Sequence, residues 1–291
     1  FYFLKKFLIF GIFFFCDTLY LINSEIVVHI VFLFSLIQGF TEFLPVSSQG
    51  HLIVFNSFFH INLIANISVL EASVIAHSGS LLAVCLYYWR QLFLFLISFK
   101  HIVRPDIDIN STLVLNLAIA TTPILVCGFF FSKFFDYDNK SLFMIVGITS
   151  ILFGIILFVF DKFCLTVKGR EELNFLTSLL VGIFQCFALI PGVSRSGSII
   201  IILRFFGYNR NFAVFFSNIL SIPVILVATV YIIYQNQEIF LLSEYLNLYP
   251  IGIFFFSLFF SLVFLKFLIS WVKNSSFLIF AIYRVIFGSV L

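Results

Sequence analysis

Six stretches of the chain are apolar over about 20 residues, the length a helix needs to cross the hydrocarbon core of a bilayer. They lie near 67–88, 112–131, 141–160, 212–234 and 249–269, with a shorter one at 276–290. Each is a candidate membrane-spanning helix. The composition agrees, since 62% of the 291 residues are hydrophobic and 10% are charged, where a soluble domain carries about 25% charge. A soluble globular protein is excluded. So are a disordered chain, a coiled coil, a collagen and a disulfide scaffold, which need polar bias, heptads, a glycine repeat or dense cysteine.

Two further apolar stretches, 26–60 and 175–206, are each broken in the middle by a Pro, Gly and Ser cluster. A break at membrane depth exposes backbone polar groups, so it survives only where it is buried in protein or lines a watery cavity. These stretches read as re-entrant helical hairpins that enter and leave on the same side. They also align with each other without a gap: Gln38 to His51 lies over Gln185 to Ser198, displaced by 147 residues (185 − 38). The Gln, Phe, Val, Ser and Gly at 38/185, 40/187, 46/193, 47/194 and 50/197 are identical. Three crossings separate the hairpins, and an odd number makes the repeats inverted. The expected fold is therefore all-α and polytopic, with about six transmembrane helices and two re-entrant hairpins. Its single membrane domain covers 24–291, in halves of roughly 24–160 and 161–291. Inverted repeats with broken helices form their binding site near the midplane, with half-helix N-termini aimed at anions.

Phenylalanine supplies 46 residues, which reads as lipid-facing filler in place of Leu, at little physical cost in hydrocarbon. Cys16, Cys85, Cys127, Cys164 and Cys186 have no CxxC spacing and read as packing residues. The net charge of +3 comes without a basic run of the kind that binds nucleic acid. One predicted face holds Arg90, Lys100, Arg104, Lys162, Lys168, Arg170, Arg204, Arg210 and Lys273, and the other holds Lys133 and Lys140. The first face is expected to be cytoplasmic. Residues 1–23 form an apolar extension, either an extra crossing or a leader.

Charge at the membrane centre costs roughly 2.5–3.5 kcal/mol on insertion scales, yet the first hairpin carries Glu42 and His51 and the second carries Arg195. An ion pair that merely locked the hairpins would not need their neighbours Ser47, Ser48, Gln49 and Gly50, or Ser194, Ser196, Gly197 and Ser198. Hydroxyls and backbone N–H groups at the start of a returning helix form a phosphate cradle. Arg195 offers a planar fork for phosphate. Ser48 and His51 are three residues apart and share one face if the returning helix begins near Ser47, as an activated hydroxyl nucleophile requires. Glu42 serves either as a base or, with the Gln38 amide oxygen as a weak second ligand, as a contact to a divalent ion such as Mg or Ca. With one carboxylate, that ion is held mainly by substrate and water.

QGFTEFLPVSSQGHL (38–52) and QCFALIPGVSRSGS (185–198) resemble the two signature motifs of the bacitracin-resistance type undecaprenyl-diphosphate phosphatases, the integral membrane family written BacA or UppP. SGSLLAVCLYYWR (78–90), RNFAVFFSNILSIPV (210–224) and AIYRVIFG (281–288) resemble further family blocks in family order. The resemblance implies hydrolysis of undecaprenyl diphosphate to the monophosphate carrier of cell-wall synthesis in the bacterial inner membrane. It places the family's acidic positions on Gln38 and Glu42, its serine and histidine on Ser48 and His51, and its arginine on Arg195. Gln38 departs from the usual acid, which weakens a two-carboxylate metal site. A further family acid falls on Ser73, with Glu71 displaced, so Glu71 receives no role. Ser48 and His51 favour this reading over a polyprenyl-phosphate transporter or flippase, which needs the cradle but no nucleophile. The site is expected to open to the outer, periplasmic face, and a homodimer stays open.

The remaining polar residues receive plain readings. His77 and Glu71 read as a helix-end hydrogen bond. Pro123 and Pro223 read as helix kinks, with Thr121 and Thr122 rebonding freed carbonyls. His29, His60 and His101 receive no function.

Overall fold

The computed structural model describes residues 25–59, 68–102, 104, 108–134, 139–167, 173–237 and 248–291. Residues 1–23, with their reading as a crossing or leader, lie outside the described residues, as do His60, Lys168 and Arg170. The described residues form eleven helices: α1 (Glu25–Thr41), α2 (Ser48–Phe59), α3 (Val69–Tyr87), α4 (Trp89–Ser98), α5 (Ile109–Phe134), α6 (Asn139–Phe163), α7 (Phe175–Gln185), α8 (Arg195–Phe205), α9 (Arg210–Gln235), α10 (Leu248–Asn274) and α11 (Leu278–Val290). Five of them, α3, α5, α6, α9 and α10, are long and apolar enough to cross a membrane. The short sixth stretch is α11, whose 13 residues give about 20 Å of helix at 1.5 Å per residue. The chain is thus an all-α polytopic membrane protein. Helix α4 escapes a search for spans because it has only 10 residues; it follows α3 directly after Tyr88 and exposes Trp89, Phe93, Leu94, Leu96 and Ile97.

Both broken stretches fold as helical hairpins. In the first, α1 and α2 flank a tip at 42–47; in the second, α7 continues into a 3-10 turn at Cys186–Leu189 and a tip before α8. The returning helices start at Ser48 and Arg195, which preserves the displacement of 147 (195 − 48). The preceding serines cap them alike: the Gly50 N–H donates to Ser47 Oγ at 3.3 Å and the Gly197 N–H to Ser194 Oγ at 3.1 Å. The backbones differ, however. Ser47 adopts φ +79°, whereas Ser194 is extended and the left-handed residue of the second tip is Gly192, at φ +87°.

The tips are stitched together. The Leu44 carbonyl accepts from Ser196 Oγ at 2.9 Å, and Ser194 and Ser196 hydroxyls bond each other at 2.9 Å. The Arg284 guanidinium of α11 lies between the tips, fully buried. It donates to the carbonyls of Pro45 (3.2 Å) in one tip and Gly192 (3.0 Å) in the other, and to Ser150 (3.3 Å) and Thr149 (3.4 Å) on α6. Thr149 Oγ1 also donates to the Pro191 carbonyl at 2.7 Å. Backbone groups freed by the breaks therefore find protein partners, as a low-dielectric interior demands.

Polar groups knit the rest of the interior, as is usual where lipid leaves no hydrophobic force between helices. Ser261 on α10 donates to Ser80 on α3 at 2.9 Å, and Ser35 on α1 donates to the Ile253 carbonyl of α10 at 3.3 Å. Gly147 of α6 and Gly288 of α11 face each other so closely that a side chain on either would strike backbone. Pro123 and Pro223 lie inside α5 and α9; before the first, Thr121 and Thr122 donate to the Leu117 and Ala118 carbonyls. Arg284→Leu strands carbonyls of both tips in a dry site, where an unmade buried hydrogen bond costs about 1–3 kcal/mol. It should lower stability by at least about 3 kcal/mol, read as a drop in thermal midpoint and yield in detergent.

Candidate active site

The Glu42 carboxylate is the centre of the cluster at the tips. The turn after α1 places it there, its own N–H bonding the Gln38 carbonyl at 3.0 Å. It is 6% exposed, so each oxygen needs partners. Oε1 pairs with Arg195 Nη2 at 3.0 Å. Oε2 accepts from Ser48 Oγ at 2.8 Å and from Gln38 Nε2 at 3.1 Å, and it lies 3.3 Å from His77 Nε2. Ser48 and Arg195 are the first residues of α2 and α8, so each side chain leaves a helix N-terminus and both reach one carboxylate. Both are partly exposed, while Glu42, Ser47, Gly50, Ser194, Ser196 and Gly197 are buried. Arg195 Nη1 is buried and has no hydrogen-bond partner among the described residues.

The structure brings Glu42, Ser48, Gln38 and Arg195 together. It turns His51 away. Both His51 ring nitrogens are engaged elsewhere: Nδ1 donates to the Ser47 carbonyl at 2.6 Å, and Nε2 accepts from the Tyr283 hydroxyl at 2.7 Å. The ring lies parallel to Phe287 at 4.1 Å. The expected Ser48–His51 pair is therefore replaced by a Ser48–Glu42 pair, because the imidazole is held by the Ser47 carbonyl one turn back on its own chain and by Tyr283 and Phe287 of α11. The cradle also needs correction. The Ser194 and Ser196 hydroxyls hold the tips together, and the Gly50 and Gly197 amides are spent on caps, so these groups shape the site rather than face a ligand. Gln49 is exposed. The donors left at the helix starts are the amides of Ser48, Gln49, Arg195 and Ser196, which have no intrahelical acceptor.

His77, expected from its position to make only a helix-end hydrogen bond, is in the cluster. Its Nδ1 donates to the Ser73 carbonyl at 2.7 Å, and its Nε2 faces Glu42. The signal was available, since His77 directly precedes the 78–90 block. Glu71 does have the plain role: with Ser68 it forms a capping box at the start of α3.

A divalent ion fits this donor set poorly. Both Glu42 oxygens receive proton donors, one of them a guanidinium, and Gln38 turns its NH₂ toward Glu42, leaving only its buried Oε1 unpartnered. Among the described residues no group of three His, Cys, Asp or Glu side chains could hold a metal.

Fold and cluster define an integral membrane protein of broken-helix hairpins whose tips hold a carboxylate, a serine and an arginine. A model of the family described as bacitracin resistance protein BacA matches residues 31–290, and the chain belongs to that family. It is 34% identical over 261 residues to the undecaprenyl-diphosphatase of Campylobacter jejuni subsp. jejuni serotype O:23/36 (strain 81-176), covering 88% of this chain and 90% of that protein. It is 32% identical over 271 residues to that of Leptospira biflexa serovar Patoc (strain Patoc 1 / Ames), covering 88% and 94%. It is 34% identical over 267 residues to that of Pelagibacter ubique (strain HTCC1062), covering 90% and 95%.

If Glu42 and Arg195 are a directly coupled buried pair, a double-mutant cycle with Glu42→Gln and Arg195→Gln should return a coupling above about 1 kcal/mol in thermal unfolding of the protein without substrate. Additive effects would mean that the pair is not formed.

Proposed function

We propose that this chain hydrolyses undecaprenyl diphosphate to undecaprenyl phosphate and inorganic phosphate, with Ser48 as nucleophile and Glu42 as its base. The observation that carries the reading is the 2.8 Å hydrogen bond from Ser48 Oγ to Glu42, with Arg195 on the other carboxylate oxygen. The same substrate appears in the names of the curated relatives. A transporter needs an anion cradle but no hydroxyl aimed at a base, and the cluster has both.

As the bond from Ser48 Oγ to the terminal phosphorus forms, the serine proton passes to Glu42. The bond from that phosphorus to the bridging oxygen breaks, and undecaprenyl phosphate leaves as an anion. Water then adds to the phosphorus of the phosphoserine. Glu42 returns its proton to Oγ as that bond breaks, and both water protons leave on inorganic phosphate. Arg195, through the Nη1 that Glu42 does not use, and the N-terminal amides of α2 and α8 bind the charge that develops on the phosphoryl oxygens. His77 is a positioning residue that holds Glu42 through Oε2. The hydroxyl that Tyr283 donates to His51 keeps the start of α2 in place. A divalent ion, Mg or Ca, would be held by the diphosphate and water rather than by the protein. The lipid tail lies in the bilayer, and the hairpin bearing Ser48 opens to the face poor in Lys and Arg, the periplasmic one.

Phosphate release from a prenyl diphosphate by purified protein tests the reaction. Ser48→Ala should abolish turnover, whereas Ser47→Ala should mainly lower stability by about 1 kcal/mol through its lost cap. Full activity in Ser48→Ala would overturn the assignment. Arg195→Lys keeps the charge but loses the fork, and should slow turnover by roughly 10²-fold, the scale for one preorganised donor. His77→Gln should lower kcat by about tenfold or more, toward the range for acid–base partners, with little change in KM. For topology, a Phe58→Cys variant lacking the native cysteines should react with an impermeant thiol reagent from the periplasmic side; labelling only from the cytoplasmic side would reverse the orientation.

A further inference from the structure

A polar cavity lies away from the hairpin tips, where the ends of α8 and α10, the start of α9 and the segment after α6 meet. Its volume is about 240 Å³, and it is lined by Thr166, Arg204, Asn209, Arg210, Asn211 and Val272. Arg204 lies nine residues beyond Arg195 on α8, a helical rise of about 13 Å, so the cavity is separate from the Glu42 cluster.

Among the described residues its charge is unbalanced. Asp161 of α6 is its buried counter-ion, and each oxygen of that carboxylate already has two donors. Oδ1 accepts from Arg204 Nε at 3.2 Å and Arg210 Nε at 2.7 Å; Oδ2 accepts from Arg210 Nη2 at 3.1 Å and the Phe277 N–H at 3.0 Å. Two guanidiniums share one saturated carboxylate, and none of the six lining residues is acidic. Lys162 and Lys273 adjoin Asp161 and Val272 in sequence, and the segment 168–172 (KGREE), outside the described residues, sums to zero charge.

The donors are also fixed in place. Arg204 is 4% exposed and is held by Thr166 Oγ1 at 2.9 Å and the carbonyls of Tyr208 at 2.6 Å and Asp161 at 3.1 Å. It forms a rigid positive wall. Arg210 is one-third exposed, lines the cavity and uses Nε and Nη2 on Asp161, which leaves Nη1 outside that pair. Asn209 caps α9 by accepting from the Phe212 N–H at 2.8 Å, so the amides of Arg210 and Asn211 at the start of this 26-residue helix have no intrahelical acceptor.

We infer that this cavity is a second anion site, built for a phosphate group borne either by an anionic lipid headgroup or by free phosphate. Arg210 and Asn211, the first residues of α9, line it together with Arg204, and the surplus positive charge among the described residues is matched by one bound phosphate. On the sequence topology it lies on the Lys- and Arg-rich face, where an anionic headgroup of the inner leaflet would reach it.

The test is run on full-length protein carrying Arg195→Gln, so that the tip site does not report. Thermal midpoints are measured with inorganic phosphate alone, and in nanodiscs of phosphatidylcholine with and without phosphatidylglycerol. Asn211→Asp is compared in the same background; an acid in the first turn of a helix favours folding but repels an anion. Stabilisation by one of the probes that weakens at least tenfold in apparent affinity in Asn211→Asp is the expected result. A response to phosphatidylglycerol alone assigns the lipid headgroup, and a response to phosphate alone assigns the free ion. No response to either probe, or an undiminished one in Asn211→Asp, overturns the site.

Discussion

The structure depends on one guanidinium surrounded by carbonyl oxygens. Breaking a helix at membrane depth strips backbone groups of their partners, and this chain does so twice. Arg284, 239 residues from Pro45, collects a carbonyl from each tip and two more from α6. Its hydrogen-bond partners are backbone oxygens, so it acts as a bracket and not as half of an ion pair. With the tips fixed against each other, the first residues of α2 and α8 are brought to the same carboxylate. The site is therefore a consequence of how the breaks are repaired.

The repeat is most informative where it fails. The helix starts and their serine caps are shared, and Ser48 and Arg195 occupy equivalent positions. Glu42, however, lies over Leu189, His51 over Ser198, and the left-handed residue moves from Gly192 in one tip to Ser47 in the other. Two-fold symmetry would give two identical weak cradles. Divergence instead gives one cluster with a hydroxyl and a carboxylate from the first hairpin and a cation from the second. Glu42 then joins the halves chemically, while Arg284 joins them mechanically.

Most of this was legible in the residues. Long apolar runs gave the spans because hydrocarbon tolerates little else, and the Pro, Gly and Ser interruptions gave the hairpins. Glu42 and Arg195 stood out because charge is rare at that depth. Three things were hidden. The direction of the His51 ring depends on Tyr283 and Phe287, from the far end of the chain. His77 looks like any helix-end histidine until α3 is packed beside the first hairpin. Arg284 sits in a short terminal helix, and nothing in its sequence context reveals that it reaches both tips. Each depends on contacts between distant segments, where spacing is silent.

The central claim is that the phosphoryl group passes through Ser48. Phosphorus stereochemistry measures this most directly, using a prenyl diphosphate whose terminal phosphorus is made chiral with sulfur and oxygen isotopes. Each in-line displacement at phosphorus inverts its configuration. Transfer to Ser48 and then to water makes two displacements, so the account predicts net retention in the released thiophosphate. Net inversion would mean that water attacks directly, and would contradict the assignment of Ser48 as nucleophile.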